Sequence, residues 1–190
     1  MHMETRRLLL RLWEETDAAE LYRHASDPAV GPAAGWPVHA DVEDSRRIIR
    51  EVLSATETYA VVLKETGLPV GSIGLLRGEN ANAPVTETEA ELGYWIGRPL
   101  WGLGLIPEAS EALLEHAFRD LECTAVWCSY YRENAQSRRV TEKLGFRYHH
   151  TVENEPVPLL GEQRTAVYTR MTRAEWERRL GYAALCTGTE

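Results

Sequence analysis

The chain is short of cysteine, of basic residues and of long apolar runs, and each shortage closes off a class of function. Its three cysteines, Cys123, Cys128 and Cys186, are odd in number, with no Cys-x-x-Cys pair and no nearby histidine cluster. That spacing gives no disulfide framework and no metal-ligand pattern, and fits reduced thiols in a cytoplasmic chain. Lysine and arginine number 21 against 29 aspartates and glutamates, a net charge of −8. Nucleic-acid binding rests on clustered cations, so nucleic acid is not an expected partner, whereas a cationic substrate is compatible. The opening Met1-His-Met-Glu-Thr-Arg-Arg leads into only a short apolar stretch, neither a secretory signal nor a membrane span. Repeats and low-complexity segments are absent too.

Two common phosphate loops are also missing. A nucleoside-triphosphatase loop ends in Gly-Lys-Ser/Thr, and Ile106-Pro107-Glu108 stands in that place. A dinucleotide fingerprint needs a small residue at 107 and an acidic residue ending a second strand, but Pro107 and Val126-Trp127-Cys128 occupy those places. What is present is Tyr94-Trp-Ile-Gly-Arg-Pro-Leu-Trp-Gly-Leu-Gly-Leu-Ile-Pro-Glu108, an apolar strand running into a turn with glycines at 102 and 104. A helix opens near Pro107. Glycine lets the main chain approach a ligand, and a helix N-terminus presents unpaired N–H groups with partial positive charge. The stretch is either an anion site, most often for phosphate or pyrophosphate, or a tight strand-to-helix connection.

At 190 residues, 44% hydrophobic and 26% charged, the chain has the make-up of one ordinary globular domain. Strands are expected over Arg6–Trp13, Thr58–Lys64, Val70–Leu76, Glu89–Ile96, Thr124–Tyr130, Phe146–Val152 and Thr165–Met171. Helical spacing marks Asp17–Ala25, with Thr16 as its N-cap, and Asp41–Ser54. Further helices are expected from Pro107 to Leu121 and from Asn134 to Leu144. A terminal helix opens on the capping box Thr172-Arg-Ala-Glu175 and runs to about Leu180. Between them lie a loop at 27–40 with an exposed Trp36 and a polar loop at 79–88. The order is mixed α/β, first a meander of strands and later strands separated by helices.

The segment Asn134-Ala-Gln-Ser-Arg-Arg-Val-Thr-Glu-Lys-Leu-Gly-Phe146 has an adequate architectural explanation by itself. Asn134 caps, Val140 and Leu144 face the core, and Gly145 takes a left-handed stop with Phe146 packing back. Paired with the glycine turn, it says more. A glycine turn opening one helix, then a strand, then Asn-x-x-Ser…Glu-Lys-x-Gly-Phe resembles the two signature segments of the GNAT acyltransferase superfamily. Gly93-Tyr-Trp-Ile-Gly with Trp101-Gly-x-Gly-x-x-x-Glu-Ala109, the Trp36-Pro37 loop and the opening Thr5-Arg-Arg-Leu-x-Leu-Arg11 are similar to one branch of it, which acetylates ribosomal-protein N-termini at alanine or serine. The likeness runs from about Glu4 to Arg178.

That resemblance implies the GNAT fold in a single domain over 4–180, with 181–190 as a tail. Its sheet is central and mostly antiparallel, with a splayed parallel strand pair, and helices flank it. It implies acetyl-CoA as cosubstrate, no metal, and transfer to an amine by direct attack in a ternary complex. The splayed strands would be Glu89–Ile96 and Thr124–Tyr130. The pantetheine arm would lie along Trp95, Ile96 and Gly97, and the pyrophosphate on the amides of Gly102, Leu103, Gly104, Leu105 and Ile106. Asn134 would hold the pantetheine, cap its helix, or both, and Ser137 would donate to the CoA sulfur. Pro99 departs from the Gln or Arg of the pattern, and Pro107 has no N–H, so each removes one donor. The acceptor implied is a peptide N-terminus or a small-molecule amine, and the protein a monomer or homodimer. A donor such as succinyl-CoA and a non-catalytic CoA-binding module are the alternatives, and the presence of both Asn134 and Ser137 favours the enzyme.

Amine acetylation needs a neutral nitrogen, a polarised thioester carbonyl and a proton for the departing thiolate. An α-amino group, with a pKa near ~8, asks only for a modest base or a water relay, and a lysine near ~10.4 asks for more. Glu89 and Glu91 alternate along one face of the splayed strand, so both can look into an acceptor cleft, and Glu91 is the choice of base. Glu153, Glu155 and Glu162 are rivals, and Tyr130 or Tyr131 is an alternative acid to Ser137. Cys128 reads as a small buried hydrophobe before an acyl-enzyme nucleophile. Adjacent strand residues face opposite ways, so His149 and His150 are not expected to chelate together. The segments 27–40 and 153–162, both read as proline-containing loops, are expected to wall the acceptor site, with Trp36 and Glu153 or Glu155 clamping the amine.

Overall fold

Short apolar runs, most of them buried along their length, build the first half of the chain as a meander. Strands β1 (Met3–Glu4) and β2 (Leu8–Arg11) precede helices α1 (Ala18–Ala25), α2 (Gly31–Ala34) and α3 (Val42–Ile48). The hairpin β3 (Thr58–Leu63) and β4 (Leu68–Leu76) follows, then β5 (Glu89–Ile96). In the second half helices part the strands: α4 (Leu105–Arg119), β6 (Ala125–Tyr131), α5 (Ala135–Leu144), the hairpin β7 (Arg147–Val157) and β8 (Glu162–Thr172), and α6 (Arg173–Thr187). The structure, a computed structural model, describes residues 2–187, without the side chains of 182–187.

One open sheet takes the order β1-β2-β3-β4-β5-β6-β8-β7. Every neighbouring pair is antiparallel except β5–β6, which is parallel. That parallel pair holds only at Glu89–Ala125, Ala90–Val126 and Glu91–Trp127. Beyond those rungs the strands splay, and Leu92–Ile96 and Cys128–Tyr131 border a gap. The expected fold is the fold found.

Helix α4 lays Ala109, Leu113, Ala117 and Phe118 on one face of the sheet, with Trp176 of α6 against them. Trp13, Leu21, Ala25, Ile49 and Val62 make a second core on the opposite face. Each fully buried Leu or Phe adds about 1.5–3 kcal/mol of transfer free energy, so two packed layers can hold a sheet whose ladder is interrupted.

Several element ends differ from expectation, each for a local reason. Helix α4 begins at Leu105 because Gly104, at φ 74°, is its left-handed N-cap, which leaves Pro107 in the first turn. A 3-10 turn at Glu15–Asp17 precedes α1, and Glu14 with Asp17 forms its capping box, while the Thr16 hydroxyl bonds Glu14 instead. Trp36 is half-buried, not exposed, because its ring packs edge-on against Trp95 at 5.7 Å. The loop expected at 153–162 is mostly hairpin, since a bulge near Asn154 (φ 56°) lets β7 continue to Val157. The Thr172–Glu175 capping box is present, but α6 continues past Leu180 to Thr187. Helix therefore runs into the segment expected as a tail, whose residues 188–190 lie outside the described residues.

Candidate active site

Glycine builds the turn between β5 and α4. Gly102 (φ 79°) and Gly104 (φ 74°) both take the left-handed region, and a Cβ on Gly102 would meet nothing within 4 Å. Helix geometry leaves the N–H groups of Leu105 and Ile106 without intrahelical acceptors. Leu103 differs from the expected set, because its N–H donates weakly to the Leu100 carbonyl at 3.4 Å. Two cations with no signature in the local sequence converge here. A Cβ on Gly104 would lie 3.8 Å from an Arg7 guanidinium nitrogen and 3.9 Å from Lys143 Nζ. Amides, helix dipole and cations together suit an anion.

The gap begins beside this turn. Gly97 N–H donates to the Val70 carbonyl at 2.8 Å, and Ile96 stands opposite Gly71. That register turns the main-chain groups of Trp95 and Gly97 toward β4, and those of Leu92, Tyr94 and Ile96 toward the gap. The Ile96 carbonyl accepts from Trp101 Nε1 at 2.9 Å. Of the three residues expected along the cosubstrate arm, Ile96 thus faces the gap with its backbone, while Leu92 and Tyr94 join it.

On the α4–α5 side, the Tyr94 hydroxyl lies 2.8 Å from Ser137 Oγ. Burial raises the Tyr94 phenol well above its ordinary value, so it stays protonated at neutral pH. Asn134 Oδ1 accepts the Ser137 N–H at 3.0 Å, and Asn134 Nδ2 donates to the Ala33 carbonyl at 3.1 Å. Asn134 is therefore a helix cap that also ties α5 to α2. Cys128 shares this side, 1% exposed, and burial pushes its thiol far up, which suits a packed hydrophobe. Tyr94 is the partner that sequence spacing did not reveal, since only the sheet brings residues 94 and 137 together.

Across the gap, on the opposite face, Glu91 is 2% exposed. Its Oε2 accepts the N–H groups of Asn82 (2.5 Å) and Ala83 (2.9 Å), and its Oε1 the Ser129 hydroxyl (2.5 Å). The loop after β4 thus closes over the carboxylate, and the half-buried Ser129 lines the cavity beside Glu91. That cavity, ≈ 2220 Å³, runs from the glycine turn through the gap to this face. It exceeds the roughly 300–1,000 Å³ of a single-ligand pocket and has room for two substrates. The 28–39 segment walls one side and β7 near Glu155 the other. Within that wall Trp36 packs on His39 at 5.3 Å, and burial lowers His39, which favours the neutral imidazole at pH 7.

The rival carboxylates separate cleanly. Glu153 is held by Arg132 (2.7 Å) and Thr165 (2.6 Å), and Glu162 by Arg164 (2.7 Å). Glu155 has no ion pair among the described residues and borders the cavity, half-buried, near Tyr131 and Tyr168. Tyr131 lies on the Glu91 face with Arg164 5.1 Å over its ring, and Tyr130 turns toward α5. His149 and His150 correct the expectation of opposite faces: a register shift between Tyr148 and His150 rotates both rings together, their Nδ1 atoms 2.8 Å apart. Among the described residues no three His, Cys, Asp or Glu side chains are grouped to hold a metal.

Glu89 belongs to the framework. Burial raises its carboxyl, but Arg170, Trp127 Nε1 (3.1 Å) and Thr86 N–H (3.2 Å) outweigh that and hold it below its ordinary 4.5. A depressed carboxylate contributes stability that is complete above its ordinary value and lost as pH falls through the lowered one. Glu89→Gln is expected to cost about 2–3 kcal/mol at pH 7, less than a fully buried pair because Arg170 is partly exposed. Thermal melts of both proteins should converge as pH falls below the ordinary carboxylate range, and a gap independent of pH would refute the ion pair's contribution.

A parallel pair that splits after three rungs, beside a turn whose groups suit an anion, leaves a cleft that a ligand can enter. The chain belongs to the GNAT acetyltransferase family, whose acetyltransferase (GNAT) domain model matches residues 7–147. An uncharacterised N-acetyltransferase of Bacillus licheniformis, p20, is 28% identical over 148 residues, 75% of this chain and 80% of that one. The ribosomal-protein-serine acetyltransferase of Escherichia coli (strain K12) is 31% identical over 116 residues, 58% of this chain and 62% of that one. A GNAT-family acetyltransferase structure from Bacillus anthracis shares the fold at a TM-score of 0.80 and 24% identity, covering 92% of this chain and 100% of that one.

Proposed function

We propose that this protein transfers the acetyl group of acetyl-CoA to a primary amine by direct attack, within one catalytic domain over 4–180. The observation that carries the reading is the gap itself. It lies between the Ser137–Tyr94 hydroxyl pair and the Glu91–Ser129 pair, with the anion turn at its end. Acetyl-CoA bound there supplies an acetyl group activated as a thioester. The N–H groups of Gly102, Gly104, Leu105 and Ile106 hold the pyrophosphate, and the backbone beside Ile96 holds the pantetheine arm. Tyr94, kept protonated, donates to Ser137 Oγ and leaves the Ser137 proton free to stabilise the departing sulfur. From the other face Glu91 takes the amine proton through Ser129 or water. Acid and base on opposite sides of the gap suit attack from one face and departure toward the other.

A protein N-terminus is the favoured acceptor. Its α-amino group needs only a modest base, and one relative is named for acetylating a ribosomal-protein serine. The free thiols Cys123 and Cys128 support a reducing, cytoplasmic setting. Screening acetyl-CoA and succinyl-CoA against N-terminal peptides, polyamines and aminoglycosides tests donor and acceptor together. Acetylation of none of these amines would overturn the reading. Glu91→Gln keeps size and removes the base, so the acid limb of the kcat/KM profile should shift or vanish. An unaltered profile would reject Glu91 and move the search to Glu155.

A further inference from the structure

Glu108 lies in the first turn of α4, beside the turn that would receive a diphosphate. Burial raises its carboxyl, but the Thr5 hydroxyl (2.6 Å), the Arg7 N–H (2.8 Å) and Arg7 Nε (2.7 Å) hold it below its ordinary value. It is therefore ionised at neutral pH, a negative charge at an anion site. The Arg7 guanidinium that pairs with it also donates through Nη1 to the Leu103 carbonyl at 3.0 Å, between the two glycines. Its Nη2 is the atom that a Cβ on Gly104 would approach at 3.8 Å. The Arg7 backbone is itself pinned, since its carbonyl accepts Lys64 N–H at 2.9 Å beside the β2–β3 ladder.

We propose that Arg7 is a positioning residue of the cosubstrate site. It neutralises Glu108 and draws the Leu103 carbonyl outward, so that the turn shows N–H groups and a guanidinium edge to the pyrophosphate. The proposal rests on the reading of this turn as the acetyl-CoA site. A simple staple between the N-terminal strand and α4 would use the same contacts, but it makes a different prediction. If Arg7 acts by cancelling charge, removing Glu108 as well should restore much of what the loss of Arg7 takes away.

Calorimetric titration with acetyl-CoA on wild type, Arg7→Gln, Glu108→Gln and the double variant tests this, with thermal melts alongside. Arg7→Gln should weaken binding at least tenfold, Glu108→Gln alone less than threefold, and the double variant should recover to within about threefold of wild type. The ratio of kcat/KM for acetyl-CoA to that for S-acetylpantetheine, which lacks the pyrophosphate, should fall in Arg7→Gln. Wild-type affinity in Arg7→Gln, or a double variant no tighter than Arg7→Gln, overturns the proposal. If Arg7→Gln does not fold, Arg7→Lys decides: it keeps the charge that cancels Glu108 and loses only the fork, so affinity should stay within about threefold of wild type, and a tenfold loss in a folded Arg7→Lys protein overturns the proposal. A wild-type protein that binds no acetyl-CoA overturns the parent reading, and this one with it.

Discussion

Valine at position 104 is expected to weaken acetyl-CoA binding by more than tenfold, about 1.4 kcal/mol, in calorimetric titration. Two effects act in the same direction. Gly104 holds φ 74°, a conformation that costs an L-residue roughly 1–2 kcal/mol, and a β-branched side chain is the worst suited to it. The added methyls would also stand near Arg7 and Lys143, where the ligand's phosphates would sit. Gly104→Asn separates the two, because asparagine tolerates the left-handed region while still filling space. It should melt near wild type yet bind more weakly. A folded Gly104→Val protein with unchanged affinity would remove the phosphate role from this turn.

Ser137→Ala is expected to lower kcat by about 10²-fold while leaving acetyl-CoA affinity nearly unchanged, the pattern of an interaction made mainly in the transition state. Stability should hold. The capping bond uses the Ser137 N–H, not its hydroxyl, so alanine keeps the cap and is the better helix former. Tyr94→Phe should give a smaller loss, about tenfold, because it frees the Ser137 hydroxyl to rotate without removing it. Wild-type turnover in Ser137→Ala would leave Ser137 as a helix residue and shift attention to Tyr130 or Tyr131, of which Tyr130 turns to the same side of the sheet.

The residues that could be read directly from the sequence are those whose chemistry is local. The bounds of β5 are as expected, because an apolar run ending in a glycine turn has few other conformations available. The Asn134 cap, the Gly145 stop (φ 84°) and the Thr172–Glu175 box follow from dihedral limits and hydrogen bonds spanning a few residues. The family resemblance supplied the splay between Glu89–Ile96 and Thr124–Tyr130, which periodicity does not encode. Local reasoning erred where long-range packing outweighed it: Trp36 was expected in solvent but meets Trp95, and the histidine pair was expected on opposite faces until a bulge rotated one of them.

By itself the sequence determined where most strands and helices lie, which turn needs glycine and which helix opens on an asparagine, because backbone conformation answers to near neighbours; the short α2 inside the loop expected at 27–40 was not among them. Tertiary structure alone decided what surrounds those elements. It set Arg7 and Lys143 beside Gly104, Tyr94 against Ser137, and the amides of Asn82 and Ala83 on Glu91. A side chain's charge partner and its exposure to the cavity depend on segments that meet only once the sheet has closed. For that reason the glycine turn was visible in the order of residues, and the charges beside it were not.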